Sequence, residues 1–325
     1  MSMRLLLLAA AVFFFAAAPA RGDEKIVVAY DGYAGFQGPV WTVRDLDLFK
    51  KNGLDGTLVL ITGAARGMAA LVSSSIDFAM GSGTASLPIR LRGGDVVIVG
   101  AALNKFPFSF IAQKEIRKPA DLVGKKIGIL NFGGSTDLAV TLALKEWNLP
   151  RSSMTIFAAG GAPERLAALS TRALDATVLS PPETIAAARL GMNVLANLSD
   201  LKASFPQTVM TTRRSFLEKN RDTVKRYVRA YSEAIHIFKT DKARGTAVYT
   251  KWLKQPDAKV IEATYDYFAP RFSFPPRIDR DGIRNALELV GDRDREAKRE
   301  INVEQFIDES VLDELEREGF FKKLR

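Results

Sequence analysis

The residues of this chain best suited to chemistry are small ones. Gly133, Gly134, Ser135 and Thr136 stand in "NFGGSTDLAV" (131–140), where a buried apolar run gives way to helical period. Glycines carry no side chain, so another molecule can approach the backbone and positive φ is allowed. Ser135 or Thr136 then suits the helix N-cap, which leaves amide N–H groups pointing outward at the positive end of the helix dipole. That combination fits a carboxylate, sulfonate, nitrate or phosphate oxygen. A plain helix cap uses the same residues, so the corner acquires meaning only from its place in the fold.

Three further loops offer the same kind of donor. "DGYAGFQGP" (31–39) supplies backbone amides with Gly32, Tyr33, Phe36 and Gln37, and Trp41 in the helix that follows is either a ligand contact or ordinary core. "GSGTASL" (81–87) places Ser82, Gly83 and Thr84 as N–H and hydroxyl donors, and "LSPPETI" (179–185) puts Ser180 ahead of two prolines that fix the loop. Glu183, opening the next helix, reads as a surface residue matched to the helix dipole. Arg66 and Arg165 begin two similar helices; each is exposed by default, and either guanidinium turned inward could hold a carboxylate or sulfonate by two hydrogen bonds. A helix terminus contributes only about 0.3–2 kcal/mol, whereas micromolar binding needs about 8 kcal/mol, so apolar ligand surface must also be buried.

What must position these loops is a repeated strand, loop, helix order. "KIVVAY", "TLVLIT" and "IDFAMGS" read as strands, and "VWTVRDLDLFKKNG" and "ARGMAALVSSS" as the helices between them. Such βα repeats predict an open, mostly parallel sheet, with ligands beyond the carboxyl ends of its strands. The chain also resembles itself. "MAALVSSSIDFAMGS" (68–82) and "LAALSTRALDATVLS" (166–180) align without a gap at a constant offset of 98 residues, Asp77 on Asp175. Two similarly built lobes follow, joined near 104–110 and again near 204–212. Beyond them, Val224, Tyr227, Val228, Tyr231, Ile235 and Phe238 recur at helical spacing and predict one buried helix face.

Composition narrows the class. Residue Arg4 precedes an apolar run from Leu5 to Ala18, which reads as a signal peptide over 1–22, cleaved after Ala20 or Gly22, because the run is shorter than the roughly 20 residues a membrane span requires. The mature chain is then expected to be exported and not membrane-spanning. The chain has no cysteine and one histidine, His236, which has no ligand-like spacing to other residues and reads as a partly packed surface residue. No metal, cofactor or catalytic residue is expected. The formal charge of +9 becomes 9 − 2 = +7 without Arg4 and Arg21. Basic and acidic residues are interspersed, which argues against a nucleic-acid partner.

Together, "VVAYDGYAGFQGPVW", "AALVSSSIDFAMGSG", "DLVGKKIGILNFGGSTD", "GGAPERLAALSTRALDATVLSPPE" and "FIDESVLDELEREGF" resemble solute-binding proteins of ABC importers, in the group that includes nitrate, sulfonate, taurine and thiamine-pyrimidine-precursor binders. The resemblance covers nearly the whole mature chain. It implies an α/β, two-lobed type II periplasmic binding fold, each lobe a mixed, mostly parallel sheet flanked by helices, with a helical C-terminal tail packed on lobe 1. Lobe 1 is expected at 23–107 with 209–325, and lobe 2 at 108–208. It further implies a periplasmic monomer that clamps a small organic anion and delivers it to an ABC permease and ATPase. A sensory or non-ABC binding protein fits the same residues. The alternative is a pyrimidine-synthase-like enzyme of the same fold; such enzymes use histidine and a cysteine-rich segment, whereas this sequence has no cysteine and one histidine without that placement.

Overall fold

β-Branched and apolar residues at alternating or continuous buried positions build ten strands. In chain order they are β1 (Glu24–Tyr30), β2 (Leu54–Leu60), β3 (Phe78–Gly81), β4 (Val97–Leu103), β5 (Ser109–Ala112), β6 (Lys126–Ile129), β7 (Thr155–Ala158), β8 (Ala176–Leu179), β9 (Asn193–Asn197) and β10 (Thr208–Thr212). The structure is a computed structural model that describes residues 23–291 and 302–325. The expected leader at 1–22 lies outside the described residues.

The strands form two five-stranded mixed sheets, ordered β2-β1-β3-β10-β4 and β7-β6-β8-β5-β9. In the first, β1 runs parallel to β2 and β3, while β10 is antiparallel to β3 and β4. In the second, β6 runs parallel to β7 and β8, while β5 is antiparallel to β8 and β9. Each sheet thus has four strands that run the same way, so that their carboxyl ends share one edge, plus one antiparallel strand inserted next to the outermost where the chain crosses between lobes. The crossings lie between β4 and β5 and between β9 and β10.

The internal repeat has a structural meaning. Helices Ala64–Val72 and Ala162–Ser170, and strands β3 and β8, occupy matching places at the offset of 98 residues seen between Asp77 and Asp175. Those two aspartates do the same job. Asp77 Oδ2 accepts the Val27 N–H at 2.9 Å and its own N–H donates to Val27 O at 2.9 Å. Asp175 Oδ2 accepts the Lys126 N–H at 2.8 Å and its N–H donates to Lys126 O at 2.9 Å. In each lobe an aspartate therefore satisfies both backbone groups of one residue in the first parallel strand, its carboxylate taking the N–H and its own N–H meeting the carbonyl, and so fixes that strand's register with the third.

The long helix Arg221–Thr240 buries Val224, Tyr227, Val228, Tyr231, Ile235 and Phe238 completely, as its period predicts. Helix Ser310–Arg317 packs against it and against β4, so this part of the tail rests on the first lobe. Two expectations change. The helix expected over 40–53 is two pieces, Gly38–Asp45 and Leu48–Lys51, because Asp47 takes a left-handed conformation (φ 51°) and breaks it. Helix Arg280–Gly291 also touches helix Ser135–Glu146 of the second lobe, so the tail is not confined to the first. His236 is half-buried against the Phe274 ring, 5.1 Å between centroids. Among the described residues no cluster of His, Asp or Glu could hold a metal ion, and no helix is long and apolar enough to cross a membrane.

Candidate functional site

The carboxyl ends of the parallel strands in the two sheets face a shared crevice of about 340 Å³. The first lobe lines it with Met68, Thr84 and Ile89, the second with Asn131 to Gly134 and Leu138, and the C-terminal helix adds Val290. The lobes nearly touch here, since a Cβ placed on Gly63 would lie 3.7 Å from Asn131 Oδ1. The size is that of a small-molecule site, and most of the wall is apolar.

The corner at 131–136 is built differently from the expected cap. Gly134, in extended conformation, is the N-cap, and Ser135 and Thr136 are the first two helical residues. Gly133 needs its positive φ of 77°, and a Cβ on Gly134 would lie 2.8 Å from Asn131 Oδ1, so a side chain there would have to displace the Asn131 amide. Thr136 turns inward, where its Oγ1 accepts the Leu130 N–H at 2.9 Å. Asp137 takes the Gly133 N–H at 2.6 Å and is neutralised by Arg151 at 2.5 Å. The corner therefore satisfies part of its own positive end, while the amides of Ser135 and Thr136 have no acceptor among the described residues.

In the first lobe, the loop after β1 divides between surface and core. Gly32 is partly exposed, and Tyr33 is 45% exposed, its ring edge-on to Tyr30. Phe36 is buried against Phe108 and Phe268, and Trp41 is fully buried, stacked on Trp252 with 5.4 Å between centroids. Both lie within the aromatic core and away from the crevice wall. Gln37 is also fully buried, and its Nε2 donates to Asp31 Oδ1 at 2.7 Å. Ser82 Oγ and Thr84 Oγ1 share a hydrogen bond of 2.9 Å, and the Gly83 N–H donates to Pro206 O at 2.8 Å. Of these three, Thr84 reaches the crevice.

In the second lobe, Ser180 is buried beside a surprise. Arg165, exposed by default or turned toward a ligand in the sequence reading, and Glu183, expected at the surface, are both buried, where helix Ala162–Ser170 packs on β8 and on helix Glu183–Arg189. Arg165 donates to Thr177 Oγ1 at 3.1 Å, Gly160 O at 2.6 Å and Val178 O at 3.2 Å. Burial lowers its pKa to about 10, partly opposed by Glu183 and Glu164. Burial raises the Glu183 carboxyl to about 7 against the pull of its own backbone N–H and of Arg165. Arg66 is exposed on helix Ala64–Val72.

Asp31 escaped the sequence reading, although it ends β1 at the edge where ligands collect. Burial pushes its carboxyl up to about 6, while Gln37 and the Ser82 N–H hold it down by hydrogen bonding.

A family profile described as NMT1/THI5 like matches residues 38–242. The chain belongs to the NMT1/THI5-like family. Among relatives, a Bacillus subtilis (strain 168) chain described as binding protein YtlA is 21% identical over 306 residues, 90% of each chain. The family fold recurs in solved structures. A Bordetella bronchiseptica RB50 protein superposes with TM-score 0.81 at 20% identity, covering 91% of this chain and 98% of its own. The periplasmic aliphatic sulphonate binding protein SsuA of Escherichia coli gives 0.73 at 19% identity, covering 89% and 98%. The periplasmic nitrate-binding protein NrtA of Synechocystis PCC 6803 gives 0.72 at 14%, covering 90% and 88%. The fold is thus that of periplasmic binding proteins, and the crevice lies between its two lobes.

Proposed function

We propose that this protein is the periplasmic solute-capturing component of an ABC importer, which closes its lobes over one small organic acid and presents it to the permease. The carrying observation is the crevice of about 340 Å³, to which both lobes contribute walls and whose second-lobe wall, Asn131 to Gly134, leads directly into the amides of Ser135 and Thr136 that begin the next helix. An acidic oxygen meets those amides, and an aliphatic or aromatic body fills the space between Met68, Ile89, Phe132 and Leu138. A bare oxyanion would leave these apolar walls unfilled, so sulfonates and carboxylates with a carbon skeleton suit the site better than nitrate. The sulphonate and nitrate for which SsuA and NrtA are named belong to the same acidic class. Contacts to both lobes are what favour closure, because a ligand held by one lobe has no differential affinity for the closed state.

A thermal-shift panel of sulfonates, aromatic carboxylates, nitrate and pyrimidines identifies binders, and solution scattering at saturation then tests closure. The radius of gyration should fall; an unchanged radius overturns the clamp. The amide contact is tested by Ser135→Pro. Proline is favoured at the first helical position and Gly134 is already extended, so the fold should survive while one donor is lost. A hydrogen bond to a charged group contributes about 1.5–3 kcal/mol, so affinity by calorimetry should drop about tenfold or more. Unaltered affinity would remove the corner from the site.

A further inference from the structure

The amino-terminal edge of the second sheet, opposite the edge that faces the crevice, gathers basic side chains. Strand β5 ends there, with Ala112 paired to Ala176 and Asn193 at the starts of β8 and β9, and β6 begins there at Lys126. The segment after β5 exposes Lys114, Arg117 and Lys118, and the approach to β6 adds Lys125 and Lys126. The two segments meet at Asp121, whose Oδ2 accepts the Arg117 and Lys118 N–H groups at 3.0 and 3.2 Å and whose charge lies close to Lys118 and Lys125. The other acids of this edge are engaged elsewhere: Glu115 pairs with Arg172 at 2.8 Å, and Asp175 Oδ2 takes the Lys126 N–H at 2.8 Å. Lys114, Arg117, Lys118, Lys125 and Lys126 make no ion pair among the described residues. Acids and bases that alternate along the sequence are thus sorted by the fold into a surface with an excess of positive charge.

The architecture does not require this excess, because the first lobe repeats it with its cations matched. There the segment after β10, the counterpart of β5, carries Arg213 and Arg214, which face Asp77 at 3.4 Å and Asp308 at 3.8 Å, and Arg226 meets Glu24 at the start of β1 at 2.5 Å. In the second lobe the cations are left to water, and between Lys118 and Lys125 the turn at Gly124 (φ 77°) holds Val123 outward, 54% exposed. Basic side chains spread along an edge around one outward apolar residue suit a plane of anionic headgroups over hydrocarbon, whereas a single small anion calls for donors converging on a point. We propose that the amino-terminal edge of the second lobe is a docking surface for an anionic phospholipid bilayer, which holds the protein at the membrane with the crevice edge of that lobe turned away from the lipid. Each cation close to such a surface strengthens association about fivefold. The effect fades beyond the Debye length of about 8 Å at physiological salt, so the edge must be in contact. The inference does not depend on what the crevice holds.

Co-sedimentation of the full mature chain with vesicles tests it, phosphatidylcholine alone against phosphatidylcholine containing a third of phosphatidylglycerol. At about 0.05 M salt the anionic vesicles should take up the protein about tenfold more strongly or better, and about 0.5 M salt should abolish the difference. Lys118→Gln, Lys125→Gln and Lys126→Gln in one chain change surface positions, so circular dichroism and melting should be unaltered while uptake falls to the level of neutral vesicles. The same loss of charge on the first lobe and tail, by Lys50→Gln, Lys322→Gln and Lys323→Gln, should leave uptake as in wild type. Equal uptake by the two kinds of vesicle, none included, would overturn the docking surface. So would a preference that survives high salt, or an equal loss in both triple variants, which would assign the effect to net charge alone. Solute capture is read separately by thermal shift and stands or falls on its own.

Discussion

Glu183 shows at the scale of a single residue how burial converts a surface-type side chain into a pH sensor. Its Oε2 has no hydrogen-bond donor among the described residues, and Arg165 beside it spends its N–H groups on Thr177, Gly160 and Val178. The carboxyl therefore holds its proton to about 7 in the fold, against an ordinary value of 4.5. The folded chain binds the proton more tightly than the unfolded chain, so stability is greatest below pH 4.5, declines as pH rises to 7, and is flat above. Glu183→Gln should remove that dependence. Relative to wild type it should gain on the order of 1–3 kcal/mol between pH 4.5 and pH 8, measured by urea unfolding at both. A difference between the two proteins that does not change with pH would mean that Glu183 is solvated after all.

At the scale of elements, an ion pair links the two lobes outside the crevice lining. Arg189 Nη1, at the end of helix Glu183–Arg189, meets Asp257 Oδ2 at 2.8 Å, and Asp257 caps helix Ala258–Phe268 of the first lobe. The Arg189 bond holds the Asp257 carboxyl below its ordinary range. Exposed pairs are weak, but one that spans a moving gap biases the open–closed balance directly. Arg189→Ala should enlarge the radius of gyration of the free protein and weaken solute binding by about two- to fivefold. Wild type in about 1 M salt, where the Debye length is about 3 Å, should behave the same way, and indifference to both changes would show that the pair holds nothing. Arg189 could not be recognised as a link from sequence, because its partner is set by how two helices 68 residues apart converge. The same limit hid the burial of Arg165 and Glu183, which depends on how their two helices pack together. By contrast, the stripe from Val224 to Phe238 and the Asp77–Asp175 repeat were legible, since period and register are local properties of the chain. The glycine corner was legible in type and misplaced by one residue, because Thr136 prefers the Leu130 N–H to the helix end. Asp31 was missed because attention to uncharged donors passed over a carboxylate at the same strand end.

At the scale of the whole molecule, the proposed clamp must bend without coming apart, and the aromatic residues between the lobes bear on how. One apolar cluster runs from Val97 and Ile98 in the first lobe through Phe106, Phe108 and Phe205 at the crossings to Phe110, Ile127 and Leu138 in the second. The two crossing segments run together as a ribbon: the Phe205 N–H donates to Asn104 O at 2.9 Å, Gln207 N–H to Leu103 O at 3.0 Å, and Leu198 N–H to Phe108 O at 2.8 Å. Phe106 and Phe205 stack between them with 3.6 Å between ring centroids. Helix Arg280–Gly291 leans on this ribbon, where Asn285 Nδ2 donates to Ser204 O at 3.0 Å, and reaches the crevice with Val290. The connection between the lobes is thus a packed part of the core, and the proposed closure would flex a two-stranded ribbon built on the buried rings of Phe106, Phe108 and Phe205. Cooperative unfolding of both lobes follows from that continuity, and calorimetry of the wild type should give one transition. Phe205→Ala removes the shared ring and should cost about 3–5 kcal/mol. Because the lost contacts are those that couple the lobes, the single transition should split into two, with the second lobe melting apart from the first. A variant that melts lower yet still in one step would show that the lobes are coupled by the crevice and tail contacts, and that the aromatic stack contributes stability without transmitting it.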